Sequence, residues 1–193
     1  MAAPKVLALA GSLRSGSWNK KLIRIAAEIA RQQGAEVTLI DLRDYQLPIF
    51  DEDLESASGL PANGRKLKDL FIGHDALLLA CPEYNSSITG VLKNTIDWVS
   101  RPAQNEKPLA AFKGKVCCLL AASPGALGGL RGLVTVRSIL GNIGCLVMPN
   151  QVAVSKADQA FDEMDQLKDS KVHAQIEAAV KAMVETAAKL KQD

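Results

Sequence analysis

Five short apolar runs, separated by stretches of helical period, constrain this chain more than any other feature. VLALA (Val6 to Ala10), EVTLIDL (Glu36 to Leu42), DALLLACP (Asp75 to Pro82), KVCCLLAAS (Lys115 to Ser123) and CLVMPNQVAV (Cys145 to Val154) read as strands. Between them the spacing predicts helices near Trp18–Gln33, Asn63–Ile72, Gly90–Ser100 and Gly129–Leu140, and a closing helix over Leu167–Leu190. Gly34 stands at the C′ place of the first helix. A polar, proline-containing loop leads into the second. Strands that are apolar along their whole length, rather than at alternate positions, are covered on both faces. Alternation of such strands with helices means a parallel sheet.

Five such units in 193 residues fit one domain, residues 1–193, with no linker, internal repeat or low-complexity tract to divide it. The fold class expected is α/β: a flavodoxin-like, doubly wound, five-stranded parallel sheet of order 2-1-3-4-5 with helices on both faces. In that order the topological switch lies between the first and third strands. A ligand is then expected beside the loops that leave the carboxyl ends of those strands. The loops are GSLRSGSW and PEYNSSIT, with ASPGALGG leaving the neighbouring fourth strand.

Bulk charge excludes two partner classes. A net charge of +2, with lysines and arginines dispersed, gives no basic patch for nucleic acid or a membrane surface. No apolar run approaches the roughly 18 residues of a membrane span. The N-terminal MAAPKVLALAGS lacks a basic region before its short apolar run, so it reads as a buried strand rather than a leader, and a cytoplasmic protein is expected. The 4 cysteines lie in or beside the strands without a CxxC or a nearby histidine, which reads as buried free thiols. Adjacent Cys117 and Cys118 should face opposite sides of the sheet.

The first loop, GSLRSGSWN, has the two glycines of a P-loop, Gly11 and Gly16, at the right separation. Ser17 stands where the lysine is needed, and Trp18 follows. Without that lysine a β,γ-phosphate clamp with Mg²⁺ is not expected, and one terminal phosphate fits better. Ser12, Ser15 and Ser17 offer hydroxyls, Arg14 a cationic fork, and the following helix its free amides and positive end. Lys20 and Lys21 in its first turn add positive charge with no local acid to balance it, which a bound dianion would. The plain alternative is that Ser17 merely caps the helix and Arg14 lies in solvent.

In the second loop, Pro82 and Tyr84 could form a flat wall, and the amides of Glu83 to Asn85 could meet the edge of a heterocycle. Glu83 has no evident acid–base partner. Val91, Leu92, Thr95, Ile96 and Val99 follow helical spacing and read as core, and Trp98 as packing. In the third loop, glycines allow a sharp bend or close approach to a ligand, and the next helix N-terminus would stabilise negative charge above it. His74 and His173 have unremarkable helical contexts, and GxSxG is absent, so no nucleophilic triad is suggested.

GSLRSGSWN, LPIFDED, PEYNSSITGVLKNTIDW and SPGALGG, in this order, resemble the bacterial NAD(P)H-dependent FMN reductases, a family that includes quinone and chromate reductases. The resemblance runs from about Lys5 to Val154, and from about Ser155 onward no motif transfers. It implies bound FMN, a homodimer or homotetramer, and hydride transfer from NADPH or NADH to flavin N5, after which a small-molecule acceptor takes the electrons. By motif, Ser12, Arg14, Ser17, Trp18 and Asn19 would hold the phosphate and ribityl chain. Pro82, Glu83, Tyr84 and Asn85 would contact the isoalloxazine, with Ser123 and Gly125 completing the pocket. Arg101 resembles a position near the active site or subunit interface, expected to bind substrate. No catalytic side chain and no metal is implied, because the flavin carries the chemistry. The rival reading is a flavodoxin-like electron carrier or flavin-dependent sensor without NAD(P)H turnover. The slightly basic charge speaks against it, since carriers of this fold resemble strongly acidic proteins.

Overall fold

The computed structural model describes residues 2–191. Its main sheet contains β1 (Lys5–Ala10), β2 (Glu36–Ile40), β3 (Ala76–Ala80), β6 (Val116–Ala122) and β7 (Leu146–Val154), all parallel, in the order β2-β1-β3-β6-β7. The five apolar runs therefore pair as expected. The higher numbers arise because PEYNSSIT forms two short strands, β4 (Glu83–Tyr84) and β5 (Ser87–Ile88), in an antiparallel hairpin rather than a loop. Its two-residue turn places both Asn85 and Ser86 at positive φ, 50° and 65°. That is the demand of a type I′ turn, which asparagine meets readily and serine at a cost.

Alternate strand residues feed two cores. Val6, Ala8, Ala76, Leu78 and Cys118 pack under α1 (Trp18–Gln32) and α7 (Ser170–Leu190). Leu7, Leu9, Leu77, Leu79 and Cys117 pack under α3 (Ala62–Ile72), α4 (Gly90–Val99) and α5 (Leu130–Asn142). Cys117 and Cys118 thus point to opposite faces, and all 4 cysteines are buried and free. The first core is rich in alanine, which lets α1 lie close to the sheet, whereas the second is filled mainly by leucine.

The helix ends follow local chemistry. After α1, Gly34 takes φ 86°, its amide bonds to Arg31 O, and Ala35 N bonds to Ala30 O. The last carbonyls are satisfied as in a Schellman turn. Gly144 repeats the device after α5, so that helix runs two residues past Leu140. The closing helix starts at Ser170 rather than Leu167, because Asp169 caps it by accepting the Lys171 and Val172 amides. Leu167 is spent instead on a bridge to Phe161.

Two short helices were not legible as such. α2 (Glu52–Ser58) interrupts the polar loop, capped by Asp51 and burying no residue. α6 (Ala157–Ala160) follows β7. Edge strand β7 also carries a bulge: Cys117 pairs with Val147, but Leu119 with Gln151. Pro149, lacking an amide, sits in that bulge, and Arg137 Nη2 fastens it by donating to Met148 O at 2.8 Å and Gln151 Oε1 at 2.9 Å.

A candidate flavin site at the carboxyl edge of the sheet

The loops after β1, β3 and β6 meet at the carboxyl edge of the central strands. Gly11 N bonds to Ala80 O, joining the first loop to the end of β3. Thr89 caps α4 by accepting the Leu92 amide, and its hydroxyl donates to Gly11 O at 2.7 Å. The first loop and the α4 N-terminus are therefore held in one frame. A Cβ on Gly11 would stand 3.0 Å from the Leu92 side chain, which would have to give by a few tenths of an ångström to admit it.

Ser12, Arg14, Ser17, Trp18, Asn19, Pro82, Glu83, Tyr84 and Ser123 line one cleft together with Ala122 and Pro124. Asn85 follows in the hairpin turn, and Gly125 approaches Ser123, its amide donating to Ser123 Oγ at 3.4 Å.

The anion-binding end is built as follows. Ser17 stands at the N-cap of α1 with extended backbone, yet its side chain makes no capping bond although the residue is buried. The Ser17 hydroxyl is thus left free to donate to a ligand placed over the helix end. Ser12, also buried, accepts only the Arg14 amide at 3.3 Å. The Arg14 guanidinium lies over the Trp18 ring, 4.7 Å from its centre, and pairs with no carboxylate among the described residues. The α1 first turn contains no acid. These groups fit a phosphate monoester: an open helix end, two hydroxyls and one unneutralised cation.

Three features of the site are set by contacts across the fold. Lys20 and Lys21 do not leave an excess of positive charge. Lys20 Nζ meets Asp41 at 2.6 Å, and Lys21 Nζ meets Asp165 at 2.5 Å, both partners distant in sequence. Burial pushes the Asp41 carboxyl up, but the Lys20 ammonium and the Arg43 amide outweigh it and hold its pKa below the ordinary aspartate value. Arg14 and the α1 N-terminus are left as the unneutralised positive groups of this loop among the described residues. Secondly, Asn19 faces the fold more than the cleft: its amide holds both main-chain groups of Ala122, at 2.8 and 3.0 Å. Thirdly, Arg101 lies outside the cleft, beyond the other end of α4. It pairs with Glu55 of α2 at 2.9 Å and stacks over Phe50 at 5.2 Å. Ten helical residues, about 15 Å, separate it from Thr89.

Two residues that matter to the frame went unread. Thr89 is one. Asn94 is the other: its amide holds Pro48 O at 2.8 Å and the Phe50 amide at 2.7 Å, fixing LPIFDED across α4. Trp98, buried as expected, adds a bond from Nε1 to Pro48 O at 2.8 Å and an edge contact with Phe50. Only the threonine before a helix start carried a local signal.

Residues 4–159 match the model of the NADPH-dependent FMN reductase family. The chain belongs to that family. The chain is 37% identical over 181 residues to an NAD(P)H-dependent FMN reductase of Pseudomonas aeruginosa, covering 93% of this chain and 92% of the relative. It is 34% identical over 166 residues to a quinone reductase of Pseudomonas putida, covering 85% and 84%. Among solved structures, the flavoenzyme NAD(P)H:(acceptor) oxidoreductase of Paracoccus denitrificans superposes with a TM-score of 0.82 at 28% identity, over 97% of this chain and 98% of that one. Family membership makes the protein an FMN-dependent oxidoreductase that draws electrons from NAD(P)H. No helix among the described residues is long and apolar enough to cross a membrane.

Proposed function

We propose that this FMN reductase is a cytoplasmic, homo-oligomeric enzyme that passes electron pairs from NAD(P)H to quinones and other small-molecule acceptors, with chromate, azo dyes and free flavin as further candidates. Nucleic acid and membranes are not among its partners, and residues 1–193 act as a single FMN-binding domain. The acceptor class follows the relatives, which are a quinone reductase and an acceptor oxidoreductase by name. The oligomer rests on the family resemblance.

The observation that carries the reading is Ser17, a mostly buried residue whose hydroxyl leaves the α1 N-terminus uncapped, beside an unneutralised Arg14. FMN, when bound, supplies the two-electron chemistry. The chain's own groups divide the binding. Ser12, Arg14, Ser17 and the α1 amides hold the phosphate, while Trp18 keeps the Arg14 fork in place by stacking. Pro82, Tyr84 and the main chain of Glu83 and Asn85 face one side of the ring, and Ser123 and Gly125 border the other. Asn19 acts by fixing the end of β6 that carries Ser123. Tyr84 is 58% exposed, so one wall of the cleft remains accessible to a nicotinamide and then to an acceptor. Arg101, outside the cleft of its own chain, would reach substrate from a subunit interface.

Charge-assisted bonds of about 1.5–3 kcal/mol each account for part of the 8–12 kcal/mol of micromolar to nanomolar binding, and ring burial must supply the rest. The test is the absorbance spectrum of purified protein, FMN titration, and anaerobic addition of NADPH. Bleaching of the flavin band, restored by a quinone, is expected. A yellow protein inert to both nicotinamides would favour the electron carrier, and a chain that cannot be loaded with FMN would sink the site.

A further inference from the structure

The carboxylate of Glu83 occupies the place where the third loop would otherwise present a positive helix end. Gly129, the N-cap of α5, has no side chain with which to cap it, and the first turn contains no acid. Glu83 on β4 does this from another element. Its Oε2 accepts the Gly132 amide at 3.1 Å, and its Oε1 accepts from Arg131 Nε at 3.0 Å and pairs with Nη2 2.8 Å away. The Glu83 side chain is 9% exposed and that of Arg131 59%. A Cβ on Gly132 would stand 3.3 Å from Glu83 Cβ, so hairpin and helix pack without spare room.

We propose that Glu83 sets the reduction potential of the bound flavin, by spending both the positive end of α5 and the charge of Arg131 on the protein's own carboxylate. This rests on the reading that the FMN ring lies against the Pro82–Asn85 and Ser123–Gly125 loops. Two electrons and one proton convert the neutral oxidised ring into a monoanion at neutral pH. The α5 end contributes about half a positive charge and Arg131 a whole one, and both favour that anion. Glu83 cuts their sum from about +1.5 to about +0.5. The reduced ring is held less tightly, and the protein is a stronger reductant toward its acceptor.

The experiment measures midpoint potentials of FMN-loaded variants against reference dyes, with FMN dissociation constants alongside. Glu83→Gln, which keeps an acceptor for the Gly132 amide, is expected to favour reduced over oxidised FMN by about tenfold, a rise of about 30 mV in a two-electron couple. Arg131→Met removes the countercharge of a mostly exposed side chain and is expected to move the potential the opposite way. Arg31→Gln, at the far end of α1, should leave it unmoved. Shifts of opposite sign in the two site variants support the proposal. Unmoved potentials overturn it, and so do shifts of the same sign, since geometry rather than charge would then be in control. If Glu83→Gln does not fold, Arg131→Met decides by the same rule. Wild-type protein that refuses FMN overturns the site reading itself, a result distinct from loaded variants with an unchanged potential.

Discussion

Asn19 holds both main-chain groups of Ala122: Nδ2 donates to its carbonyl at 2.8 Å, and Oδ1 accepts its amide at 3.0 Å. The bond pair ties the first turn of α1 to the end of β6, across the cleft between the phosphate loop and the ring-facing loops. Asn19→Ala leaves a buried amide and a buried carbonyl unpaired, at about 1–3 kcal/mol each. Urea unfolding should lose about 2–4 kcal/mol, and FMN should bind more weakly because Ser123 is no longer held. A variant as stable as wild type would show the clamp to be idle.

Ser17→Ala and Arg14→Ala should separate binding from folding. An ordinary N-cap serine costs about 1 kcal/mol to remove. Ser17 makes no capping bond, so its loss should change stability by less than about 0.5 kcal/mol while FMN weakens about tenfold. Arg14→Ala should weaken FMN by about ten- to a hundredfold at unchanged melting temperature. Fluorescence titration of FMN reads both. An unaltered dissociation constant would remove the residue from the site.

Two glycines predict opposite signs. Gly128 has φ 62°, and a Cβ there would stand 2.7 Å from Ser155 N and Val154 C, main-chain atoms that cannot step aside. Gly128→Ala should cost upwards of about 2 kcal/mol, since strain and overpacking add. Gly141, on α5, has nothing within 4 Å of the same position. Gly141→Ala should gain about 0.5–1 kcal/mol from helix propensity. Thermal unfolding of the pair, measured side by side, checks the contrast.

The acid limb of stability should depend on Asp41. Its folded pKa lies below the ordinary value, so the Lys20–Asp41 pair contributes stability above the unfolded aspartate pKa of about 3.9. That contribution is lost as pH falls through the lower folded value. Asp41→Asn should therefore reduce stability near neutrality and flatten the loss below about pH 4. Denaturant midpoints from pH 7 to 2.5 measure this, and parallel curves for variant and wild type would contradict it.

The thiols should be silent in the native state. Burial pushes Cys81 and Cys118 up to about 12, and a hydrogen bond with Cys145, together with burial, raises Cys117 as well. A disulfide reagent at pH 8 should find almost no reactive thiol until denaturant is added, and then 4.

The sequence by itself determined the sheet, its order and the edge that carries the cleft. Strands apolar on both faces have only a doubly covered parallel arrangement open to them, and turn chemistry at Gly34 and Gly144 is local. It also assembled the cleft residues, because Ser12, Ser17, Pro82 and Ser123 are carried there by strand ends whose positions topology dictates. The partners of the charged and amide side chains were fixed by packing across the fold. Lys20 meets Asp41, Lys21 meets Asp165, Glu83 meets the α5 N-terminus, and Asn19 meets Ala122, across 21 to 144 positions of chain. A side-chain bond of this kind has no period and no local signature. It depends on distances of a few tenths of an ångström that exist only once both faces of the sheet are packed.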